Sequence, residues 1–241
     1  MRSPDSEIDG VIVCGAPRSG TSMMAQALAD AGFGLGNDLI AGSEANPLGF
    51  FEDIEVNRIN DGLLAAADVV PGAARPPRSL WWLGAFEATA TPSPAPETLA
   101  RRIPPAPYVL KDPRFSHTYP AWRPVLSEHR VVVMVRPVAE VHQSLVAMAR
   151  RDPEQFAGWE LSEVAVWEMW SATYASIDRW ADDGVAYVAD STLRDRSVLG
   201  ALSEFLGRPI SAPGVAPELR RTAPTAPTER ERPVFERCLI P

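Results

Sequence analysis

The chain has 241 residues, of which 46% are hydrophobic and 22% charged, the balance of an ordinary globular protein and not of a disordered, collagen-like or disulfide-stapled one. Its 31 acidic and 23 basic residues give a formal net charge of −8, which weighs against nucleic-acid or anionic-membrane binding yet leaves room for one local anion pocket. Cys14 and Cys238 read as free reduced thiols, no run approaches the ~18 apolar residues of a membrane span, and the opening Met-Arg-Ser-Pro-Asp-Ser-Glu lacks the apolar core of a signal peptide, so the expected location is the cytoplasm.

The first apolar run, Val11–Cys14, reads as a strand. It leads directly into Gly15-Ala-Pro-Arg18-Ser19-Gly20-Thr21-Ser22 and an Ala-rich helix, Thr21–Ala31, that stops at Gly32. The segment Asn46-Pro47-Leu48-Gly49-Phe50-Phe51-Glu52-Asp53 opens a second helix over Ile54–Ala67. Nine prolines between 71 and 107 exclude a continuous helix or central strand there. Trp81, Trp82, Leu83 and Phe86 mark this stretch as an insertion with a short helix packed on the core.

A second strand, Tyr108–Leu110, delivers Lys111-Asp112-Pro113-Arg114. Lys111 is the one lysine of the chain, beside 22 arginines. The third run, Val131–Val135, delivers Arg136 and then a helix, Pro137–Ala149, with proline at its first position. A long helix over Ser162–Ala181 follows. The tryptophans of this region, Trp159, Trp167, Trp170 and Trp180, fit a packed helix face better than an acceptor pocket. Val185–Ala189 is the fourth strand, Ala201–Leu206 a last helix ending at Gly207, and a proline-rich tail from about 210 wraps the surface in extended form.

Continuous apolar strands are buried on both faces by helices. Their alternation with helical patterns predicts one α/β domain over residues 1–241: a three-layer, P-loop-like fold with a central parallel sheet flanked by helices. Ligands of such sheets sit at the carboxyl ends of the strands.

Gly15 and Gly20 bracket four residues between a strand and a helix. That arrangement cradles a phosphate: glycines let the backbone approach, and the helix N-terminus favours negative charge. It is the frame of a Walker A loop, but Thr21 stands where the lysine belongs and Arg18 supplies a cation three residues earlier. Three readings follow. One is a transferase of another phosphate-bearing donor. The second is a P-loop small-molecule kinase using ATP and Mg²⁺, with Asp190 as the nearest metal carboxylate. The third is a non-catalytic nucleotide-binding protein.

Pro17-Arg18-Ser19-Gly20-Thr21-Ser22 resembles the 5′-phosphosulfate loop of sulfotransferases that use 3′-phosphoadenosine 5′-phosphosulfate (PAPS) and release PAP. Arg136 at a strand end, with Ser144 eight residues on, resembles that family's 3′-phosphate site, and a guanidinium fork with a hydroxyl suits a phosphate dianion. Lys111-Asp112-Pro113 and Asn46-Pro-x-Gly-aromatic-Phe-Glu52 are similar to segments of bacterial members. The resemblance spans about residues 10–60 and 105–210.

It implies that Arg18, Ser19, Gly20, Thr21 and Ser22 hold the 5′-phosphosulfate, that Arg136 and Ser144 hold the 3′-phosphate, and that Tyr187 lies near the adenine unless it is a core tyrosine. Lys111 would balance charge on the sulfuryl group. The base would be Glu52 or Glu44, with His117 a weaker candidate, since Pro113 stands where the cytosolic branch has its histidine. Glu52 could also be a helix N-terminal acid and Glu44 a solvated loop carboxylate. Arg114 could steer an acceptor or form a salt bridge, and His142 reads as a helix-surface residue near Ser144. The family's Lys-Gly loop near the C-terminus has no counterpart here. The expected partner is a hydroxyl-bearing small molecule, carbohydrate or lipid, with no metal and no nucleic acid. A homo-oligomer is compatible with the sequence.

Overall fold

The computed structural model describes residues 8–36, 38–42, 49–67, 94–154, 156, 159–214 and 224–239. The bulk of the proline-rich insertion, including Trp81, Trp82, Leu83 and Phe86, lies outside these residues, as does Glu44. Four strands, β1 (Gly10–Gly15), β2 (Tyr108–Lys111), β3 (His129–Val135) and β4 (Val185–Ala189), form one sheet in the order β2-β1-β3-β4. All three pairings are parallel, with Ile12 opposite both Leu110 and Val131, and Val133 opposite Tyr187.

Alternate strand residues point to opposite faces, and each face has its own core. Ile12, Cys14, Leu110, Val131, Val133 and Val135 pack with α2 (Ile54–Ala67), α4 (Phe115–Trp122), α5 (Val138–Arg151) and α6 (Glu163–Trp180). Val11, Val13, Val109, Val132, Met134 and Val188 pack with α1 (Thr21–Asp30) and α7 (Arg196–Leu206). The result is the expected three-layer α/β fold. A short helix, α3 (Pro96–Ala100), ends the insertion, and another, α8 (Arg232–Phe235), lies in the tail. No helix of the described residues is long and apolar enough to cross a membrane.

The helix ends follow side-chain capping. Asp53 accepts from the N–H groups of Glu55 (3.0 Å) and Val56 (3.1 Å) at the start of α2. Ser162 caps α6 by accepting from Ala165 N–H, and Asp195 caps α7 by accepting from Ser197 N–H. Pro137 is the cap residue of α5, one position before the helix and not its first residue.

Helix α4 has no counterpart among the sequence expectations. It contains Pro120, which cannot donate to the carbonyl four residues back. That carbonyl, of Ser116, instead accepts from the Trp180 indole at 3.0 Å. The Ser116 hydroxyl accepts from Gly15 N–H at 3.1 Å, so α4 is tied to the end of β1. The tail is not simply extended. Leu239 N–H donates to the Tyr187 carbonyl at 2.8 Å along β4, and Thr225 N–H donates to Glu140 at 2.8 Å.

Gly15 turns out of β1 with φ 133, and a Cβ there would collide with the Met134 carbonyl oxygen. Gly15→Ala is therefore expected to cost about 2 kcal/mol or more, read as a lower urea-unfolding midpoint. An unchanged midpoint would show that β1 and β3 can separate at their ends without loss.

Candidate active site

All four strands end at one edge of the sheet, and each delivers polar residues there. β1 opens into the glycine loop, β2 ends at Lys111 and is followed by Asp112, β3 is followed by Arg136, and β4 by Asp190. Such an edge is where an open α/β sheet binds its ligand.

In the loop, Arg18 and Gly20 are left-handed, at φ 67 and 94. The chain then enters α1 at once, so the first-turn amides have no intrahelical acceptors. A side chain at Gly20 would place its Cβ 2.5 Å from an Asp190 carboxylate oxygen, so this position needs glycine for close approach as well as for its φ. The Ser19 hydroxyl is fully buried and has no hydrogen-bond partner among the described residues. Buried hydroxyls are nearly always satisfied. An orphan beside a helix N-terminus fits an anionic oxygen, and the cradle therefore fits the donor that the sequence implies.

Beside the loop lies an ion pair. Lys111, 4% exposed, donates from Nζ to Glu52 Oε1 at 2.6 Å and to the Phe50 carbonyl at 2.8 Å. Asn57 donates to the other oxygen, Glu52 Oε2, at 2.8 Å, and Arg114 Nη1 stands 3.7 Å from it. Gly49 and Phe51 are left-handed, at φ 78 and 56. They precede a side chain that turns inward to Lys111 while its neighbour Asp53 caps the helix. The dipole role considered for Glu52 thus belongs to Asp53. Burial pushes the Glu52 carboxyl above the usual carboxylate range. Lys111 draws it back, Asp112 adds to the rise, and Arg114 opposes it.

A second set of bonds braces the pair. Arg114 donates to Asp61 at 2.7 Å and to Asp112 at 3.0 Å. Burial works against its charge, but Asp112, Asp61 and Glu52 outweigh burial and keep it ionised. Asn60 donates to Asp112 Oδ2 at 2.9 Å and accepts from Thr118 and the Trp122 indole, both at 2.8 Å. Helices α2 and α4 are joined through this one buried amide. Arg114 is the salt-bridge former of the two roles considered for it.

At the other end of the edge, Arg18 Nε donates to Ser144 Oγ at 3.0 Å. Arg136 Nη1 donates to the Arg18 carbonyl at 3.1 Å, and its Nε lies 3.0 Å from Glu140 and 3.4 Å from Asp190. The C-terminal segment reaches this corner too. Glu231, 1% exposed, accepts from Val138 N–H at 2.6 Å at the start of α5.

No protein-family model matches the chain, and no curated protein does. Solved structures do. The sulfotransferase domain of the Synechococcus PCC 7002 olefin synthase superposes with a TM-score of 0.51 at 16% identity, covering 98% of this chain and 95% of that one. The chain has the sulfotransferase fold. The sulfotransferase domain from the curacin biosynthetic pathway gives 0.48 at 15% identity over 90% of this chain and 80% of its own. A sulfotransferase from Alicyclobacillus acidocaldarius gives 0.47 at 14% identity, covering 87% of each chain.

On this sulfotransferase fold the glycine loop, Glu52, Lys111, Arg136 and Ser144 all lie along one sheet edge. Ser22 Oγ donates to the Phe50 carbonyl at 3.3 Å, the same oxygen that accepts from Lys111, so the loop helix and the ion pair meet at one peptide. His117 lies buried in α4, where burial and then Arg179 push its ring down to about 3. It is too weakly basic to take a proton near neutrality. His142 bonds the Leu161 carbonyl at 2.8 Å and ties α5 to the approach of α6. Tyr187 sits in mid-strand, two residues short of the end of β4. Its hydroxyl donates to Asp178 at 3.4 Å, and Arg237 of the tail covers its ring. Asp190, the metal carboxylate of the kinase reading, faces Arg136. Among the described residues there is no group of three His, Cys, Asp or Glu that could hold a metal.

Sequence reasoning assigned no role to Asn57, Asn60, Glu140 or Glu231. Asn60 had a signal, since it shares the buried stripe of α2 with Val56, Leu63 and Leu64.

Lys111→Met strands a buried carboxylate and is expected to cost about 3–5 kcal/mol, whereas Lys111→Met with Glu52→Gln should recover most of that loss. Urea unfolding of both single variants and the double variant measures it. Losses that simply add would mean that the two side chains are not energetically paired.

Proposed function

We propose that the chain is a PAPS-dependent sulfotransferase acting on a hydroxyl of a small-molecule, sugar or lipid acceptor. The observation that carries this reading is the buried Glu52–Lys111 pair at 2.6 Å, set one peptide away from an anion cradle that contains an unsatisfied Ser19 hydroxyl. A pure binding module needs the cradle but has no use for a buried carboxylate with raised proton affinity. A kinase would need a lysine where Thr21 stands.

When bound, the donor supplies the sulfuryl group. The amides at the start of α1, with Ser19, Thr21 and Ser22, hold its 5′ end. Lys111 places a cation where charge develops and needs no rearrangement to do so. Glu52 takes the proton of the acceptor hydroxyl. Lys111 keeps Oε1 occupied, and Asn57 fixes Oε2. Burial raises the basicity of the carboxylate toward the range useful at neutral pH. Glu44 remains the second candidate for the base.

The reading is tested by thermal unfolding with PAP, and with ATP with and without Mg²⁺. PAP at a hundred times its dissociation constant should add about 2.7 kcal/mol, roughly 5–10 °C for a chain of this length, independently of metal. Stabilisation by ATP with Mg²⁺ alone would replace the proposal with the kinase reading. A second test follows PAP release from PAPS over a panel of hydroxyl acceptors. Glu52→Gln should leave PAP affinity unchanged and lower turnover by about 10²-fold or more. Unchanged turnover would remove Glu52 as the base.

A further inference from the structure

The two oxygens of Glu52 have different neighbours. Oε1 accepts from Lys111 at 2.6 Å, and Lys111 shares the Phe50 carbonyl with Ser22 of α1. Oε1 is therefore the oxygen bonded toward the glycine loop. Oε2 is turned to α2, where it accepts from Asn57 at 2.8 Å. Arg114 Nη1 stands 3.7 Å from the same Oε2 and donates to Asp112 Oδ1 at 3.0 Å. One nitrogen thus serves two buried carboxylates, with side chains 9% and 1% exposed.

The charged groups that act on Glu52 are Lys111 at the end of β2, then Asp112, then Arg114 just before α4. Helix α2 adds the neutral Asn57 and, through Arg114, Asp61. The imidazole of α4, His117, is neutral near pH 7, because burial and then Arg179 push its ring down to about 3. Burial raises the proton affinity of Glu52 and Lys111 lowers it; after these, Asp112 raises it and Arg114 lowers it.

Two buried carboxylates that share a single cation favour keeping one proton between them. Arg114 supplies a second cation, and its own place is fixed. Asp61 accepts from Nε at 2.7 Å and Asp112 from Nη1. Asp112 is held in turn by the Arg114 N–H and by Asn60, both at 2.9 Å. A guanidinium anchored along two edges cannot swing to another partner without breaking both bonds.

We propose that Arg114 is a positioning residue for the base: it keeps Glu52 and Asp112 as two separate carboxylates and so leaves Glu52 free to take the proton of the acceptor hydroxyl. The proposal rests on the sulfotransferase reading, with Glu52 as base. It gives Arg114 a role through Glu52 and none in contact with the acceptor.

The first measurement needs neither donor nor acceptor. Urea-unfolding midpoints are followed against pH for wild type and Arg114→Gln, each beside the same chain carrying Glu52→Gln, so that the difference within each pair isolates Glu52. A carboxyl whose proton affinity is raised by folding stabilises the fold at acid pH, and that contribution is lost as pH rises through its folded value. In Arg114→Gln the loss should extend to a pH about one unit higher than in wild type. Should Arg114→Gln not fold, the double variant Arg114→Gln with Asp61→Asn, which leaves no α2 carboxylate without its cation, carries the same expectation. The second measurement is the pH profile of kcat/KM for PAP release from PAPS. Its acid limb should rise by a similar amount in Arg114→Gln, and Arg114→Lys, which keeps the charge, should bring it back toward wild type. An unmoved Glu52 titration in the unfolding data would overturn the proposal. So would a loss of kcat/KM by the same factor at every pH, which is what a purely structural role predicts; either result would leave the sulfotransferase reading standing. A shifted titration in a wild type that releases no PAP at any pH would remove that reading, and with it the role of Arg114.

Discussion

The site depends on a lysine and a carboxylate held 2.6 Å apart away from water. Taking two charges out of solvent is costly, and their attraction offsets the cost only when geometry is good and the remaining donors and acceptors are satisfied. Here they are. Glu52 has Asn57 on its second oxygen, and Lys111 has the Phe50 carbonyl. Those contacts come from the segment before α2, from α2 itself and from the end of β2. The pair can form only when the segment carrying left-handed Phe51 is folded down on the sheet edge. A left-handed non-glycine residue costs on the order of 1–2 kcal/mol. Its presence directly before Glu52 shows how strongly the surrounding bonds determine this turn.

The same economy runs along the whole sheet edge. Asp112, Arg114, Arg136, Glu140, Asp190 and Glu231 are buried or half-buried, and each is engaged by at least one opposite charge or backbone N–H. An edge carrying this much internal charge is poorly suited to a purely structural role, because apolar side chains of similar volume would often be as stable or more so. What ion pairs provide is fixed orientation at the strand ends. The network divides into two braces. One joins Asn60, Asp112 and Arg114 beneath Glu52. The other joins Glu140, Asp190 and Arg136 beneath the Arg18 carbonyl.

The strands were legible because both faces of a parallel sheet are covered, which forces continuous apolar runs. Val185–Ala189 and Ile54–Ala67 coincide with β4 and α2, and the remaining strands gain only one or two residues at their ends. The edge residues were legible for the same reason, since a polar residue that ends an apolar run is placed at the strand terminus. Other features had no local signature. Helix α4 depends on a tryptophan 64 positions away to satisfy the carbonyl that Pro120 abandons. Glu140 and Glu231 look like ordinary surface acids of a helix and a tail until the tail docks on α5. Capping also deceived: Glu52 and Asp53 are adjacent acids at a helix start, and only the turn at Phe51 decides which one caps and which one meets Lys111.

The tail bears on the site more than its composition suggests. Thr225 and Glu231 fasten it to the first turn of α5, with Thr228 bonded to Glu231 within the tail, and Arg237 through Leu239 fasten it along β4. Between them these contacts cover the Tyr187 ring and reach Glu140, which pairs with Arg136. The proline-rich end of the chain is thus packed at the corner where α5 begins. A loop of glycines can cradle a phosphate by itself. Here the loop is also held from behind, because Arg136 Nη1 donates to the Arg18 carbonyl. Glu140 and Asp190 face Arg136 in turn, and Glu140 is itself bonded to the tail. The bonds therefore run from Thr225 through Glu140 and Arg136 to the Arg18 carbonyl.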